Sequence, residues 1–197
     1  NATIVITDST RPCPDDLLVQ AIVARLNRAG IPDDRITLLI AIGMHRGSTT
    51  AERLEKLGAD LVRRCRIEDS AATDESLQVD FGTTPQGVPA RIDRRATEAD
   101  LLISTGIVEP HQYAGFSGGW KTVGIGSAGA ATISVLHGMT YLEHPRVRLA
   151  LRVLGTGLLA GINLARRLEG KSAVIPPPTT MLGGLYRYLA EADPKHF

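Results

Sequence analysis

Apolar and polar positions alternate in blocks along the first part of the chain and predict strands and helices in turn. Apolar runs at 3–7 and 35–42 predict buried strands, because continuous aliphatic stretches suit a sheet covered on both faces. Between them, aliphatic residues recur at every fourth position from Leu18 to Leu26, which predicts an amphipathic helix over 15–28. This order favours a mainly parallel sheet flanked by helices.

The same alternation continues into the second half of the chain. Thr49 or Thr50 can cap a further helix, which Gly58 is expected to end. Strands are predicted at 77–81, 88–92 and 101–105, and helices near 96, at 130–137 and at 145–168. The pattern predicts one Rossmann-like α/β domain over 1–175. After a three-proline break, 176–197 is a tail or the start of a following unit.

Composition narrows the classes of partner. With 22 basic and 21 acidic residues among 197, the chain has no one-sided charge, which argues against nucleic-acid or membrane-surface partners. Its two cysteines, Cys13 and Cys65, lack a C-x-x-C spacing, so we expect a reducing, cytoplasmic setting. No apolar stretch approaches the roughly 20 residues of a membrane helix. A small-molecule partner is favoured, and a homo-oligomer is left open.

Two polar turns follow the first two predicted strands, where a parallel sheet opens its binding crevice. The turn at 8–12 holds Asp8 and Arg11, and an arginine can grip a carboxylate through two hydrogen bonds. The alternative is that these two side chains only neutralise each other. The turn at 43–47 presents His45 beside a glycine, although a lone loop histidine is more often merely solvated.

The most informative segment is the glycine-rich stretch at 109–121. Gly118 and Gly119 remove side chains, so a bulky ligand can approach the backbone and their amides can face an anion. Lys121 follows directly, and partial desolvation beside Trp120 can lower its pKa enough for it to act as a nucleophile or a covalent anchor. The alternative is an ordinary surface lysine.

His137 and a second glycine pattern complete the candidates. His137 ends a mostly apolar helix, so it is either a metal ligand or a core histidine bonded to a backbone carbonyl. One imidazole holds a metal poorly, so a cofactor would have to supply the remaining bonds. The stretch at 124–129 fits the G-x-G-x-x-G pattern of nicotinamide dinucleotide sites, but no clear strand precedes it. A nicotinamide-dependent oxidoreductase is therefore a weak alternative.

Taken together, DSTRP, GMHRG, EPHQYAGFSGGWK and a histidine sixteen residues after the lysine resemble the amino-terminal domain of the nickel-dependent lactate racemase family over about 3–145. The resemblance implies a nickel pincer nucleotide, made by dedicated biosynthesis enzymes. It also implies that Lys121 carries this cofactor through a thioamide link, with Gly118 and Gly119 beside it, and that His137 is the protein's nickel ligand.

The same resemblance implies a reaction, the racemisation or epimerisation of a 2-hydroxyacid. His45 and His111 would be the paired acid and base, and Arg11 with Asp8 would form part of the substrate carboxylate site. Substrate hydride would pass to the cofactor while one imidazole takes the hydroxyl proton, and imidazole suits both directions near neutral pH. Full members of the family are longer and have a second, closing domain. The alternative is therefore a non-catalytic module that binds the nickel cofactor.

Overall fold

The computed structural model describes residues 1–111, 114–143, 166 and 170–172. The chain divides into two compact units. The first comprises Asn1–Glu109 and Phe116–Tyr141, and the second comprises Pro110–Gly115 and Leu142–Phe197. In the second unit the described contacts are local, such as the hydrogen bond of 2.8 Å from the Lys171 amide to the Arg166 carbonyl. The sheet and its core belong to the first unit.

Strands and helices alternate as the sequence pattern predicts. The strands are β1 (Ala2–Thr7), β2 (Ile36–Ala41), β3 (Arg66–Asp69), β4 (Gln78–Thr83), β5 (Pro89–Asp93), β6 (Leu101–Ser104), β7 (Pro110–His111) and β8 (Gly115–Phe116). The α-helices are α1 (Asp15–Arg28), α2 (Thr50–Arg64), α3 (Arg94–Thr97), α4 (Trp120–Gly124), α5 (Ala130–Leu136) and α6 (Met139–Leu142). Short 3-10 turns precede β2 and β4.

Four of the strands form one parallel sheet in the order β3-β2-β1-β6. In the centre, Val5 of β1 pairs with Leu39 of β2 on one side and with Ser104 of β6 on the other. The chain therefore runs outward from β1 through β2 to β3, and later returns to the opposite side of β1. A reversal of this kind opens a crevice beyond the carboxyl ends of the strands. The predicted α/β class is confirmed.

The sheet buries apolar side chains on both faces. Because side chains alternate along a strand, the continuous apolar runs of β1 and β2 supply both faces at once. One face packs against α1 and α2 through Ile4, Ile6, Val19, Val23, Leu38, Ile40, Leu57 and Leu61. The other face packs against α3 through Val5, Leu39 and Ala96.

Helix α2 is interrupted at Gly58, the residue predicted to end it. It begins with a capping box, in which the Thr49 hydroxyl accepts from the Glu52 amide and the Glu52 carboxylate accepts from the Thr49 amide. The helix end predicted at Gly58 is confirmed by the backbone geometry. Gly58 has a φ of 76° and breaks the helical geometry, but helical structure resumes and continues to Arg64. The resumed turns are retained because Leu61 is fully buried in the core.

Strands β4 and β5 form a separate antiparallel hairpin rather than part of the main sheet. Their turn contains Gly87 with a φ of 81°, a conformation that glycine adopts without strain. Helix α5 packs on this hairpin, where the Thr132 hydroxyl donates to the Pro89 carbonyl at 2.7 Å. The two predicted strands are thus confirmed, and their partner is each other.

Several predictions concern residues beyond those the structure describes. The helix over 145–168, apart from Arg166, the three-proline break and the tail at 176–197 all lie there. The predicted boundary between 175 and 176 stays a prediction. Within the described residues, no helix is long and apolar enough to cross a membrane.

Candidate functional site

Asp8 and His45 meet beyond the carboxyl ends of β1 and β2. The Asp8 carboxylate accepts a hydrogen bond of 2.5 Å from Nδ1 of His45. It also accepts from the amide and hydroxyl of Thr10, at 3.1 and 2.6 Å. The Asp8 side chain is 9% exposed and that of His45 is 53% exposed. A buried carboxylate thus holds a histidine whose outer edge faces solvent.

This contact fixes the chemistry of the His45 ring. Since Nδ1 donates to Asp8, Nε2 carries the lone pair in the neutral ring and can accept a proton. Burial by itself would raise the pKa of Asp8, but the hydrogen bonds from His45 and Thr10 outweigh burial and lower this pKa below its ordinary value. The carboxylate is therefore charged at neutral pH and orients the imidazole.

Arg11 extends from the same turn without neutralising Asp8. Its Nη1 donates to the hydroxyl of Thr10 at 3.0 Å, and among the described residues it forms no ion pair. Mutual neutralisation of Arg11 and Asp8, the alternative considered from the sequence, is therefore not what the turn shows. The exposed guanidinium can still receive a carboxylate through two hydrogen bonds.

The loop that carries His45 is anchored from β3. Oδ2 of Asp69 accepts from the Ser48 amide at 2.8 Å and from Nη2 of Arg53 at 3.0 Å. A side chain at Gly47 would come within 3.3 Å of the same oxygen. Sequence reasoning did not identify Asp69 as part of the site, and its position at the end of a parallel strand was the available signal.

Glycines allow the glycine-rich segment to pack closely against the chain that follows β6. A Cβ at Gly118, which has a φ of 74°, would lie 2.8 Å from the Ile107 carbonyl oxygen. A Cβ at Gly106 would lie 3.4 Å from Cα of Gly118 and 3.1 Å from Oγ1 of Thr122. Side chains at these glycines would force the two segments apart. Gly119, with a φ of 53°, faces open space instead, so a ligand can approach its backbone.

Lys121 lies at the start of α4 and is half-buried. Burial lowers its pKa, and the positive charge of Arg11 lowers it further. The effect of Arg11 places the two cations within electrostatic reach of each other. Trp120 is 87% exposed, so the expected shelter beside the indole comes mainly from other parts of the protein. A lysine with a lowered pKa has more of the free amine that reacts as a nucleophile.

His111 belongs to the second unit, so its predicted pairing with His45 stays a prediction. Locally, Nδ1 of His111 accepts from the Ala114 amide at 3.3 Å. In the neutral ring the proton is then on Nε2, the reverse of the arrangement in His45.

His137 caps the end of α5 and is exposed. Its Nδ1 donates to the Ile133 carbonyl at 2.9 Å, which leaves the lone pair on Nε2 in the neutral ring. Metal-binding histidines commonly donate their second nitrogen to a carbonyl in this way. Because the ring is exposed, the core-histidine alternative does not describe it. No cluster of three or more metal-binding side chains occurs within the described part of the chain.

The glycine pattern at 124–129 serves packing. A Cβ at Gly126 would lie 2.7 Å from Cβ of Ala41 and 2.5 Å from the Thr122 carbonyl oxygen. The carbonyl oxygen of Gly126 accepts from the Gly43 amide at 2.8 Å and from the Ser70 hydroxyl at 3.0 Å. The segment follows helix α4, not a strand, so it lacks the context of a dinucleotide site.

Comparison with known proteins identifies the family of the chain. The lactate racemase N-terminal domain family matches residues 1–150. The chain belongs to this family. Lactate racemase from Lactiplantibacillus plantarum is 41% identical over 148 residues, which are 75% of this chain and 35% of the relative. Lactate racemase from Thermoanaerobacterium thermosaccharolyticum is 34% identical over 149 residues, 75% of this chain and 34% of the relative.

A solved structure supports the fold as well. The lactate racemase apoprotein from T. thermosaccharolyticum superposes with a TM-score of 0.68 at 33% identity, covering 74% of this chain and 34% of that protein. This family member therefore spans about a third of the length of the racemases it matches. A shorter match of 37 residues, 62% identical, is to the tRNA methyltransferase TrmFO of a Sulfurihydrogenibium species, covering 19% of this chain and 8% of the relative.

Proposed function

We propose that this family member is the cofactor-bearing domain of a racemase or epimerase that acts on lactate or a related 2-hydroxyacid. The observation that carries the proposal is the Asp8-oriented His45 at the same edge of the sheet as Arg11 and Lys121. A proton acceptor, a carboxylate-binding cation and a reactive amine are the groups that this reaction needs. The names of the two racemase relatives support the reaction class.

The residues of the chain fit a tethered nickel pincer nucleotide. Lys121 offers an amine with a lowered pKa for the thioamide link, and the open backbone at Gly119 leaves room for a bulky group. His137 offers Nε2 as a single nitrogen ligand, so the cofactor would complete the coordination of nickel. When bound, this cofactor supplies the centre that accepts hydride from the substrate carbon.

The side chains of the chain handle the protons and the substrate carboxylate. Nε2 of His45 takes the proton of the substrate hydroxyl, and Asp8 stabilises the resulting imidazolium. His111, with its proton on Nε2, acts as the acid for the opposite face in the predicted pair. Arg11 binds the substrate carboxylate, because a charged Asp8 would repel it. Asp8 thus supports the substrate site by orienting His45.

Intact-mass measurement after co-expression with the cofactor-making enzymes tests the attachment. We expect a covalent adduct on the wild-type chain and its complete loss in Lys121→Ala. Lys121→Arg is the matched control, because it retains the positive charge but cannot form a thioamide, and it should also lack the adduct. An adduct that persists in Lys121→Ala would contradict the assignment.

Nickel content tests the ligand separately. His137→Ala should lose most bound nickel while keeping its circular dichroism spectrum, since the ring is exposed and its loss removes little packing. His196→Ala, a change near the end of the chain, is the matched histidine control and should retain nickel. Equal nickel in the wild type and His137→Ala would refute the role of His137.

Turnover separates an enzyme from a module that only carries the cofactor. The specific reason to consider the second is that the chain spans about a third of its racemase relatives. Loaded protein should interconvert the lactate enantiomers, as measured by chiral chromatography. Loaded protein that carries the adduct and nickel yet leaves each enantiomer unchanged would favour the non-catalytic module.

A further inference from the structure

A buried ion pair lies beneath the turn that carries Asp8 and Arg11. Nζ of Lys56 is 2.8 Å from Oδ2 of Asp15, and the two side chains are 8% and 0% exposed. The same Nζ donates to the main-chain carbonyl oxygen of Arg11 at 3.1 Å. Lys56 thus connects helix α2 with the start of helix α1 and with the backbone of Arg11, the residue proposed to bind the substrate carboxylate.

The carboxylate of Asp15 is held from two strands as well. The Thr105 hydroxyl donates to Oδ1 at 2.6 Å, and the Thr7 hydroxyl donates to Oδ2 at 3.1 Å. Thr7 ends β1 and Thr105 follows β6. Asp15 therefore joins the ends of the two neighbouring strands between which the strand order reverses. It is also the first residue of α1, where a negative charge interacts favourably with the helix dipole.

Stability alone is a poor reason for this arrangement. The desolvation of two buried charges offsets most of their attraction, and apolar residues of the same volume often serve a fold equally well. Apolar residues cannot, however, donate a hydrogen bond to the Arg11 carbonyl. Among the described residues, the hydrogen bonds of the Arg11 side chain are local ones to Thr10, so its direction depends on where its backbone is held.

We propose that Lys56 and Asp15 are a positioning pair that fixes the main chain at Arg11 and so directs its guanidinium toward the substrate carboxylate. The role of Arg11 in this inference rests on the proposed function. The anchoring of its backbone does not, and it can be measured on the chain without cofactor. Neither residue touches the reacting atoms in this proposal, so both act through Arg11.

Amide hydrogen exchange in the unloaded chain tests the anchoring. In Lys56→Met, the amides of Thr10 and Arg11, which bond to Asp8, should exchange about 10-fold faster, the equivalent of one hydrogen bond to a charged group. The amides of Val19 and Val23 within α1 should be unchanged. Arg63→Met is the matched control, because it removes an exposed, paired cation from the same helix and should alter neither set.

A double variant distinguishes loss of the backbone anchor from general unfolding caused by an unpaired buried charge. Lys56→Met leaves the Asp15 charge buried without its cation, whereas Lys56→Met with Asp15→Asn leaves no buried charge unpaired. The double variant should fold and should still show fast exchange at Thr10 and Arg11. Unchanged exchange at these two amides in a folded variant would overturn the proposal, and so would equal acceleration at every amide of the double variant.

Steady-state kinetics of the loaded protein test the consequence. Misdirecting Arg11 weakens substrate binding, so Lys56→Met should raise KM for lactate about 10-fold while kcat changes much less. A fall in kcat with an unchanged KM would overturn the positioning role. If even the wild type is inactive but exchange is accelerated only at Thr10 and Arg11, the proposed function fails and the anchoring stands.

Discussion

The turn after β1 and the glycine-rich segment before α4 build one edge of the sheet in opposite ways. In the turn, polar side chains hold one another, with Asp8 fixed to His45 and Thr10. In the glycine-rich segment, the absence of side chains is what matters, because Gly118 lies against Ile107. The first region fixes the direction of reacting groups by hydrogen bonds. The second makes room for a large ligand.

The difference explains why the two regions should respond differently to substitution. Replacing a hydrogen-bonding side chain in the turn leaves the fold and removes a chemical group. Adding even a methyl group in the glycine-rich segment strains the backbone and displaces a neighbouring chain. Activity should therefore report on the first region, and stability together with cofactor loading should report on the second.

The largest expected effect is the loss of the proton acceptor that Asp8 orients, without a change in the glycine-rich segment. His45→Gln removes the proposed proton acceptor while preserving size and polarity, so kcat for lactate racemisation should fall about 100- to 10,000-fold. Arg46→Gln, a neighbouring exposed change, is the control and should retain most activity. Kinetics on protein loaded to the same nickel content provide the measurement. Retention of wild-type kcat in His45→Gln would contradict its role.

The next largest effect is backbone strain in the glycine-rich segment. Gly118→Ala places a Cβ 2.8 Å from the Ile107 carbonyl oxygen at a positive φ, and should lower the free energy of unfolding by about 1–3 kcal/mol. Gly119→Ala has the positive φ without the clash, so its loss should be smaller. Gly124→Ala meets no atom within 4 Å and should be nearly neutral. Urea denaturation of the three variants gives the ranking, and equal losses would refute the clash.

A smaller effect sharpens the electrostatic link between the two regions. Arg11→Met removes the charge that helps to lower the pKa of Lys121, so this pKa should rise. At pH 8 the variant then has less free amine, and an amine-acylating reagent should modify Lys121 several-fold more slowly than in the wild type. The difference should vanish at a pH above about 10.4, where an ordinary lysine is also deprotonated. Peptide mass mapping provides the rates. Equal rates of Lys121 acylation in the wild type and Arg11→Met at pH 8 would show that Arg11 does not influence the pKa of Lys121.

The smallest effect is an acid-dependent loss of stability at Asp8. Its pKa is lowered in the folded protein, so the charged carboxylate contributes stability above the ordinary pKa of about 3.8. That contribution should disappear as the pH falls through the lowered pKa. The difference in Tm between the wild type and Asp8→Asn should therefore narrow below about pH 4. A difference that stays constant from pH 7 to pH 3 would contradict the role of the charge.

Local patterns were sufficient for much of the fold. Helix α1 has the predicted bounds, because its apolar spacing, its acidic first turn and its basic last turn all agree. The break at Gly58 was predicted, but the helical turns that follow it were not. A glycine signals a break in helical geometry, but whether the helix resumes depends on the burial of Leu61, and burial is decided by the sheet opposite.

The amino-acid sequence by itself determined the order of the elements and the residue types gathered in the candidate motifs, because these depend on neighbouring positions. Only the tertiary structure decided that Asp8 orients His45 and that Lys56 reaches Asp15 and the backbone of Arg11. These partners are 37, 41 and 45 positions apart. Their meeting depends on the strand order around β1, which places the ends of separate strands at one edge of the sheet.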